Sequence, residues 1–342
     1  MTGDFMDALR PAIDRACAHI RRRKARFVGI QLPDGLRSHF REIAAAVEKK
    51  TGAQAAMLVE MCCGACMADS PSGFDFILHV AHDEVGPAEA AGIGARSGRG
   101  GPDRILFIPY RPKFDVERCV RAAIPLLRPP VGVLTTSTHA GLLSRVVELL
   151  NEVGLRPLVA SGKRTGRKAV VLGCDFSAAR KISKNVSTFL FIGSGAFHPV
   201  GVMLATGKPV VGADPYEGKA RTFSEEKDRI LRRRFAAIEI AREARVFGVM
   251  LGVFPGQSRK RLAVSIKKML EMEGKEAFIL AARRFDPDMV AHLGLDALVS
   301  TACTRIALDD TARYPIPVLS PPELDIVLGK RKWDDYELDE IG

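Results

Sequence analysis

Apolar residues recur near the start of the chain at Phe5, Leu9, Ile13, Ala16, Cys17 and Ile20, the spacing of an amphipathic helix over residues 3–24. The pattern then changes. Phe27-Val-Gly-Ile-Gln-Leu32 is a short apolar run stopped by Pro33-Asp-Gly35, which reads as a buried strand and its turn. A helix over about 37–50, a strand at Ala55-Ala-Met-Leu-Val59, and strands at Phe74–Val80 and Arg104–Ile108 follow. Gly92 to Gly101 is glycine-rich and is expected to be a loop. The order then repeats. Helical positions Val116, Cys119, Val120, Ala123 and Leu127 precede Pro130-Val-Gly-Val-Leu-Thr135, and a helix over 223–243 precedes Val246-Phe-Gly-Val-Met-Leu251.

Three of these strands share an apolar-Gly-apolar core: Val28-Gly29-Ile30, Val131-Gly132-Val133 and Phe247-Gly248-Val249. The glycines are 103 and 116 residues apart, which suggests a triplicated α/β unit. Alternating strands and helices imply parallel sheets. The expected domains are 1–112, 113–217 and 218–342.

Composition narrows the class. The chain has 342 residues, 47% hydrophobic and 27% charged, enough for two or three globular domains. No apolar run approaches the roughly 20 residues of a bilayer span. The N-terminus lacks a secretory signal's charged-then-apolar order, and seven cysteines, an odd number, argue against a secreted disulfide framework. A reducing cytoplasm is expected. The formal net charge of +11 raises the question of nucleic acid, but the basic residues are dispersed over Arg21–Lys24, Lys163-Arg164, Arg232–Arg234 and Arg259–Arg261, with little aromatic interleaving. They read as a solvated surface, with an acidic macromolecular partner as the functional alternative and no direct nucleic-acid contact expected. Asp334, Asp335, Glu337, Asp339 and Glu340 reverse the sign and read as a loosely held acidic tail.

The chemistry lies with cysteines. Cys17 and Cys119 fall on apolar helical stripes and read as core thiols. Cys66, Cys174 and Cys303 differ: each comes at or after the end of an apolar run that reads as a buried strand, Ala55–Val59, Val170–Cys174 and Leu298–Ser300, and α/β folds place ligands beyond such strand ends. Small neighbours, Gly64-Ala65, Gly173 and Thr301-Ala302, leave room beside each sulfur. Zinc commonly takes two CxxC pairs, but here the one CxxC is Cys63 to Cys66. The CxxxCxxC loop of ordinary radical S-adenosylmethionine enzymes is missing. Three separated thiolates suit an iron–sulfur cube with one iron open to substrate.

The combination resembles the archaeal diphthamide synthases, the 2-(3-amino-3-carboxypropyl)histidine synthase family. It is carried by Leu32-Pro-Asp-Gly-Leu36, Gly64-Ala-Cys66, Leu172-Gly-Cys174, Gly193-Ser-Gly-Ala-Phe-His198, Asp214-Pro-Tyr216 and Ser300-Thr-Ala-Cys-Thr-Arg-Ile-Ala-Leu-Asp-Asp310. Departures are Thr304 where the family usually has Pro, Cys63 for Tyr, and Ser194 for a third glycine. None removes a ligand, and Cys66 holds the Gly-Ala-Cys position.

The resemblance implies three similar parallel-sheet α/β domains in a pseudo-threefold arrangement around a central 4Fe–4S cluster held by Cys66, Cys174 and Cys303. It also implies a transferase that breaks the Cγ–S bond of S-adenosylmethionine. The 3-amino-3-carboxypropyl group goes to C2 of a histidine imidazole on translation elongation factor 2, and methylthioadenosine leaves. A one-electron donor and a homodimer are expected with it. Ser137, His139, Gly193, Gly195, His198 and Gln257 follow strand ends and are the candidates for cofactor contacts. The alternative reading of His198 is a packing residue before Pro199, and that of Arg305 is a pair with Asp309 one turn on. Asp214-Pro-Tyr216 reads as a structural turn. The rival enzyme reading is a quinolinate synthase-like dehydratase, against which the Thr301–Asp310 motif speaks. The non-enzyme reading is an electron-relay subunit, from which one of the three cysteines would be expected to be missing.

Overall fold

In a computed structural model of the chain, residues 2–85 and 104–341 are described, so the glycine-rich stretch Gly92–Gly101 lies outside the described residues. The fold is mixed α/β with three sheets. Contacts divide it into two compact units: Met1–Phe114 with Ser137–Leu142 and Phe254–Gly256, and Asp115–Thr136 with Leu143–Val253 and Gln257–Gly342.

The first unit holds one sheet of four parallel strands, β1 (Phe27–Gln31), β2 (Gln54–Leu58), β3 (Phe76–Val80) and β4 (Ile105–Ile108), in the order β2-β1-β3-β4. Alternation along the strands sends Val28 and Ile30 of β1, and Phe76, Leu78 and Val80 of β3, to one face. There they are buried with Leu9, Ile13 and Ile20 of the helix Thr2–Arg22 and with Ile43 and Val47 of the helix Phe40–Thr51. Cys17 is buried in this cluster as a structural thiol, its pKa raised by burial.

The second unit holds two sheets. One comprises β5 (Val131–Thr135), β6 (Pro157–Leu158), β7 (Thr188–Ile192), β8 (Val210–Asp214) and β9 (Lys219–Thr222), ordered β6-β5-β7-β8-β9. The other comprises β10 (Val246–Gly252), β11 (Glu276–Ala282), β12 (Ala297–Ser300) and β13 (Val318–Leu319), ordered β11-β10-β12-β13. All pairings between these strands are parallel except β8–β9, an antiparallel hairpin whose turn is fixed by Asp214 Oδ1 accepting from the Tyr216 and Glu217 amides at 2.8 and 3.3 Å. Asp214-Pro-Tyr216 is thus the structural turn its sequence suggests. Cys119 is fully buried and its thiol donates to the Val116 carbonyl at 3.1 Å, the second core thiol.

The internal repeat is visible in the glycines. Gly29, Gly132 and Gly248 each lie on the first strand of their sheet, and the side chain filling the space beside each belongs to its partner across the ladder: Ile77, Phe189 and Leu298. A Cβ on these glycines would lie 2.6, 2.4 and 2.7 Å from those side chains. One packing solution therefore occurs three times, each time on the strand order second-first-third-fourth. Among the described residues no helix is long and apolar enough to cross a membrane.

Three expectations are corrected. Val170–Cys174 is not a continuous strand: Val170 makes one parallel bridge to Thr135, after which Leu172 and Asp175 close a tight turn. The basic runs are not uniformly solvated. Arg234 is fully buried, paired through two nitrogens with Glu323 at 2.7 and 2.7 Å and donating to the Ala307 and Val318 carbonyls, and Arg259 is 6% exposed. A buried guanidinium requires such partners, because an unpaired charge there costs several kcal/mol, on the order of 3–5. Nor is the acidic tail loose, since Leu338, Asp339 and Ile341 are 4%, 6% and 2% exposed.

Candidate functional site

In the first unit the chain leaves β2 at Leu58 and reaches a 3₁₀ turn at Ala65–Met67 that carries Cys66. Arg37 fixes the exit by donating to the Val59 and Glu60 carbonyls, both at 3.1 Å. Cys66 is half-buried, Cys63 exposed and Cys62 buried, with burial pushing the Cys62 thiol up to about 12. Gly256 lies directly on the Cys66 backbone, where a Cβ would come 2.4 Å from Cys66 Cα and 2.7 Å from its carbonyl oxygen. Only a residue without a side chain permits this approach. Ser137 and His139 belong to the same unit, in the 3₁₀ turn Ser137–Leu142 after β5, where His139 is buried with its ring centroid 5.8 Å from that of Phe114.

In the second unit Cys174 sits at the tip of the Leu172–Asp175 turn, closed by backbone hydrogen bonds of 3.0 and 3.2 Å. Gly173 beside it is obligatory, because a Cβ would come 2.2 Å from the Phe197 ring. Arg164 Nη1 donates to Cys174 Sγ at 3.0 Å, and the Arg164 amide donates to Asp175 Oδ2 at 2.9 Å. Cys303 follows β12 and occupies the N-cap of the helix Thr304–Leu308, with extended backbone. It leaves the third strand of its sheet, whereas Cys66 and Cys174 follow second strands, so the cysteines are not strict repeat equivalents.

The carboxyl-terminal segment fastens both loops. Asp339 accepts from Arg259 Nη1 and Nη2 at 2.8 and 2.5 Å, and Arg259 Nε donates to the Thr301 carbonyl at 2.7 Å, two residues before Cys303. Thr304 Oγ1 donates to the Asp339 carbonyl at 3.2 Å. Glu340 accepts from the Phe176 amide and from Arg180 Nε at 2.7 and 2.5 Å, and the Ile341 amide donates to the Cys174 carbonyl at 2.7 Å. The loops of Cys174 and Cys303 are thus bound to residues 339–341, a stretch of at most about 7 Å. Sequence reasoning missed Arg164, Arg259 and this segment. The only signal was basic runs and a run of acids, which look alike whether solvated or paired.

The remaining candidates fall as follows. Gly193 and Gly195 follow β7 at φ 150° and 77°, conformations that favour glycine. His198 opens the helix Phe197–Thr206, stacked on Phe191 at 5.7 Å and edge-on to Phe197 at 5.4 Å. Burial, then the positive charge of Arg305, lowers its pKa to about 4, so its ring is neutral at physiological pH. Gln257 is buried and packs beside Gly252 at the end of β10. Arg305 pairs with Asp309 at 2.8 Å and also lies over the Phe197 ring at 4.8 Å. Gly193, Gly195, His198 and Gln257 share the second unit with Cys174 and Cys303.

Chemically, Cys66, Cys174 and Cys303 stand apart from the fully packed Cys17 and Cys119. They are half-buried, lie beyond strand ends, and are preceded by the small residues Gly64-Ala65, Gly173 and Thr301-Ala302. Cys174 has a guanidinium donor on its sulfur. Thiolates with N–H donors to sulfur fit an iron–sulfur cluster.

Comparison with known proteins agrees with this reading. The model of the family described as "Putative diphthamide synthesis protein" matches residues 32–337. The chain is 32% identical to the 2-(3-amino-3-carboxypropyl)histidine synthase of Pyrococcus horikoshii over 332 residues, covering 94% of this chain and 91% of that one. It is 26% identical to subunit 1 of the Gallus gallus 2-(3-amino-3-carboxypropyl)histidine synthase, covering 96% and 79%. The crystal structure of Dph2 from Pyrococcus horikoshii with a 4Fe–4S cluster superposes with a TM-score of 0.82 at 29% identity, covering 96% of this chain and 93% of that one.

Proposed function

The chain belongs to the diphthamide synthesis family, and from that premise we propose that it is a 3-amino-3-carboxypropyl transferase acting on a histidine of translation elongation factor 2. S-adenosylmethionine is the donor, the group replaces the hydrogen on C2 of the imidazole, which leaves as a proton as the priming electron is given back, and methylthioadenosine is released. We assign Cys66, Cys174 and Cys303 as the ligands of a 4Fe–4S cluster. Bound there and reduced by an external one-electron donor, the cluster supplies the electron that breaks the Cγ–S bond.

The observation that carries the reading is the chain-long likeness to the Pyrococcus synthase, together with three half-buried cysteines set beyond strand ends. The chain's own residues have definable tasks. Arg164 holds the Cys174 sulfur, Gly173 and Gly256 let neighbouring chain approach the ligand turns, and the Arg259–Asp339 pair sets the backbone before Cys303. Ser137, His139, Gly193, Gly195, His198 and Gln257 are the proposed contacts of the S-adenosylmethionine polar groups. Since proximity decides which sulfonium bond is cut, they would fix its orientation. Domain boundaries near 113 and 218, a homodimer and a cytoplasmic setting belong to the same proposal.

Anaerobic reconstitution with iron and sulfide, reduction, and mass spectrometry of the nucleoside product test it. Methylthioadenosine is expected with wild type, and loss of at least about 100-fold with Cys303→Ala, which removes a ligand outright. 5′-Deoxyadenosine as the sole product would refute the bond assignment, and an intact cluster with no cleavage would refute the activity.

A further inference from the structure

A second set of metal donors lies in the first unit and plays no part in the proposed cluster. Cys62, His79 and His82 each present one donor atom, all within 4.8 Å of one another. Cys62 and His79 are 2% and 0% exposed.

Their placement follows from the sheet. Gln31 and His79 are partners across the β1–β3 ladder, so their side chains share the face opposite the two packing helices. Gln31 Nε2 donates to the Met67 carbonyl at 3.2 Å, which turns its oxygen toward His79, where Oε1 accepts from Nδ1–H at 2.7 Å. That bond fixes the tautomer: His79 Nε2 has no proton and aims its lone pair at His82 Nδ1, 3.0 Å away. A ligating histidine characteristically gives its other ring N–H to an oxygen acceptor in this way. Burial is the main cause lowering both imidazoles, to about 3 for His79 and about 4 for His82, so both are neutral, the form that ligates.

We propose that Cys62, His79 and His82 form a separate site for a borderline divalent ion of the zinc class. One sulfur and two imidazole nitrogens are a usual zinc donor set, and three protein ligands leave a fourth position to water. With bonds of about 2.0–2.3 Å, tetrahedral donors stand about 3.3–3.6 Å apart. The 3.0 Å histidine contact opens slightly and Cys62 Sγ closes in. On binding, the thiol gives its proton to solvent and His82 carries its remaining proton on Nε2, with no redox change. The ion would brace the turn that presents Cys66. Cys62 lies three residues before that turn, and Gln31, which orients His79, is tied to the Met67 carbonyl within it.

The test uses the iron–sulfur-loaded protein, so that Cys66, Cys174 and Cys303 are occupied. After equilibration with zinc and dialysis, zinc and iron are counted separately per chain, and X-ray absorption at the zinc edge reads the first shell. One zinc with one sulfur and two nitrogens is expected. Cys62→Ser and His82→Ala should each lose it with iron unchanged, and Gln31→Leu should weaken it about 10- to 100-fold by freeing the His79 ring. Zinc that is not retained, that survives in both variants, or that shows a sulfur-only shell would overturn the site. Because iron is counted independently, failure of the cluster reading is seen as missing iron and not as missing zinc.

Discussion

Arg164 brings a guanidinium to the sulfur of Cys174, a proposed cluster ligand, at 3.0 Å. Donors to sulfur favour the reduced state of an iron–sulfur centre by offsetting its added negative charge. Arg164→Met should therefore make the cluster's midpoint more negative by ~50–100 mV, a tenfold change being about 59 mV for one electron. An anaerobic redox titration followed by electron paramagnetic resonance measures it, and an unchanged midpoint would show that the contact only packs the loop. His198 gives a second residue-scale expectation. Its folded-state pKa of about 4 lies below the roughly 6.5 of an unfolded histidine. The unfolded chain thus binds more protons between these values, so this residue's contribution is complete above about pH 6.5 and is lost as pH falls toward 4. Its partial exposure limits the effect to about 1–2 kcal/mol between pH 7 and pH 5. Urea unfolding at the two pH values should show wild type losing more stability than His198→Phe, which keeps the ring stack but cannot titrate.

At the scale of elements, each sheet's first strand carries a glycine because the third strand's opposing side chain occupies its space. Gly132→Ala would place a Cβ 2.4 Å from the Phe189 ring, between two buried strands that cannot part. Overpacking of this kind costs about 1–3 kcal/mol, to be read as a lower urea midpoint with unchanged slope. An exposed turn glycine such as Gly141, with nothing near its Cβ, is the control and should change little on conversion to Ala. This repeat was legible in the sequence, because apolar-Gly-apolar patterning and strand–helix alternation are local properties. The Val170–Cys174 segment was not. Its apolar run reads as a strand, but the turn at Gly173-Cys174 depends on the Phe197 ring, more than twenty residues away. The small residues before Cys66, Cys174 and Cys303 are visible in the sequence, while the contacts of Arg164 with Cys174 and of Gln31 with His79 were hidden, since these partners lie on other strands and loops.

At the scale of the whole chain, the question is what holds the Cys174 and Cys303 loops, which belong to different sheets, in register. Within the second unit the answer is its last few residues. Composition made this segment look like a solvated acidic tail, because sequence shows charge but not what neutralises it. The structure sets Asp339 against Arg259, Glu340 against Arg180 and the Phe176 amide, and the Ile341 amide against the Cys174 carbonyl. Both cysteine loops are therefore fastened to one short strip of backbone, and cluster retention should depend on it. Asp339→Ala leaves a guanidinium buried without its partner and should cost on the order of 3–5 kcal/mol, so loss of iron there could follow from loss of folding. Ile341→Pro separates the two. It removes the single N–H that binds the Cys174 carbonyl and adds no charge. Iron per chain after reconstitution should fall well below that of wild type, with far-ultraviolet circular dichroism unchanged. If Ile341→Pro retains full iron while its fold is intact, the segment is a cover and not a clasp, and Cys174 must be positioned by Arg164 and the Leu172–Asp175 turn alone.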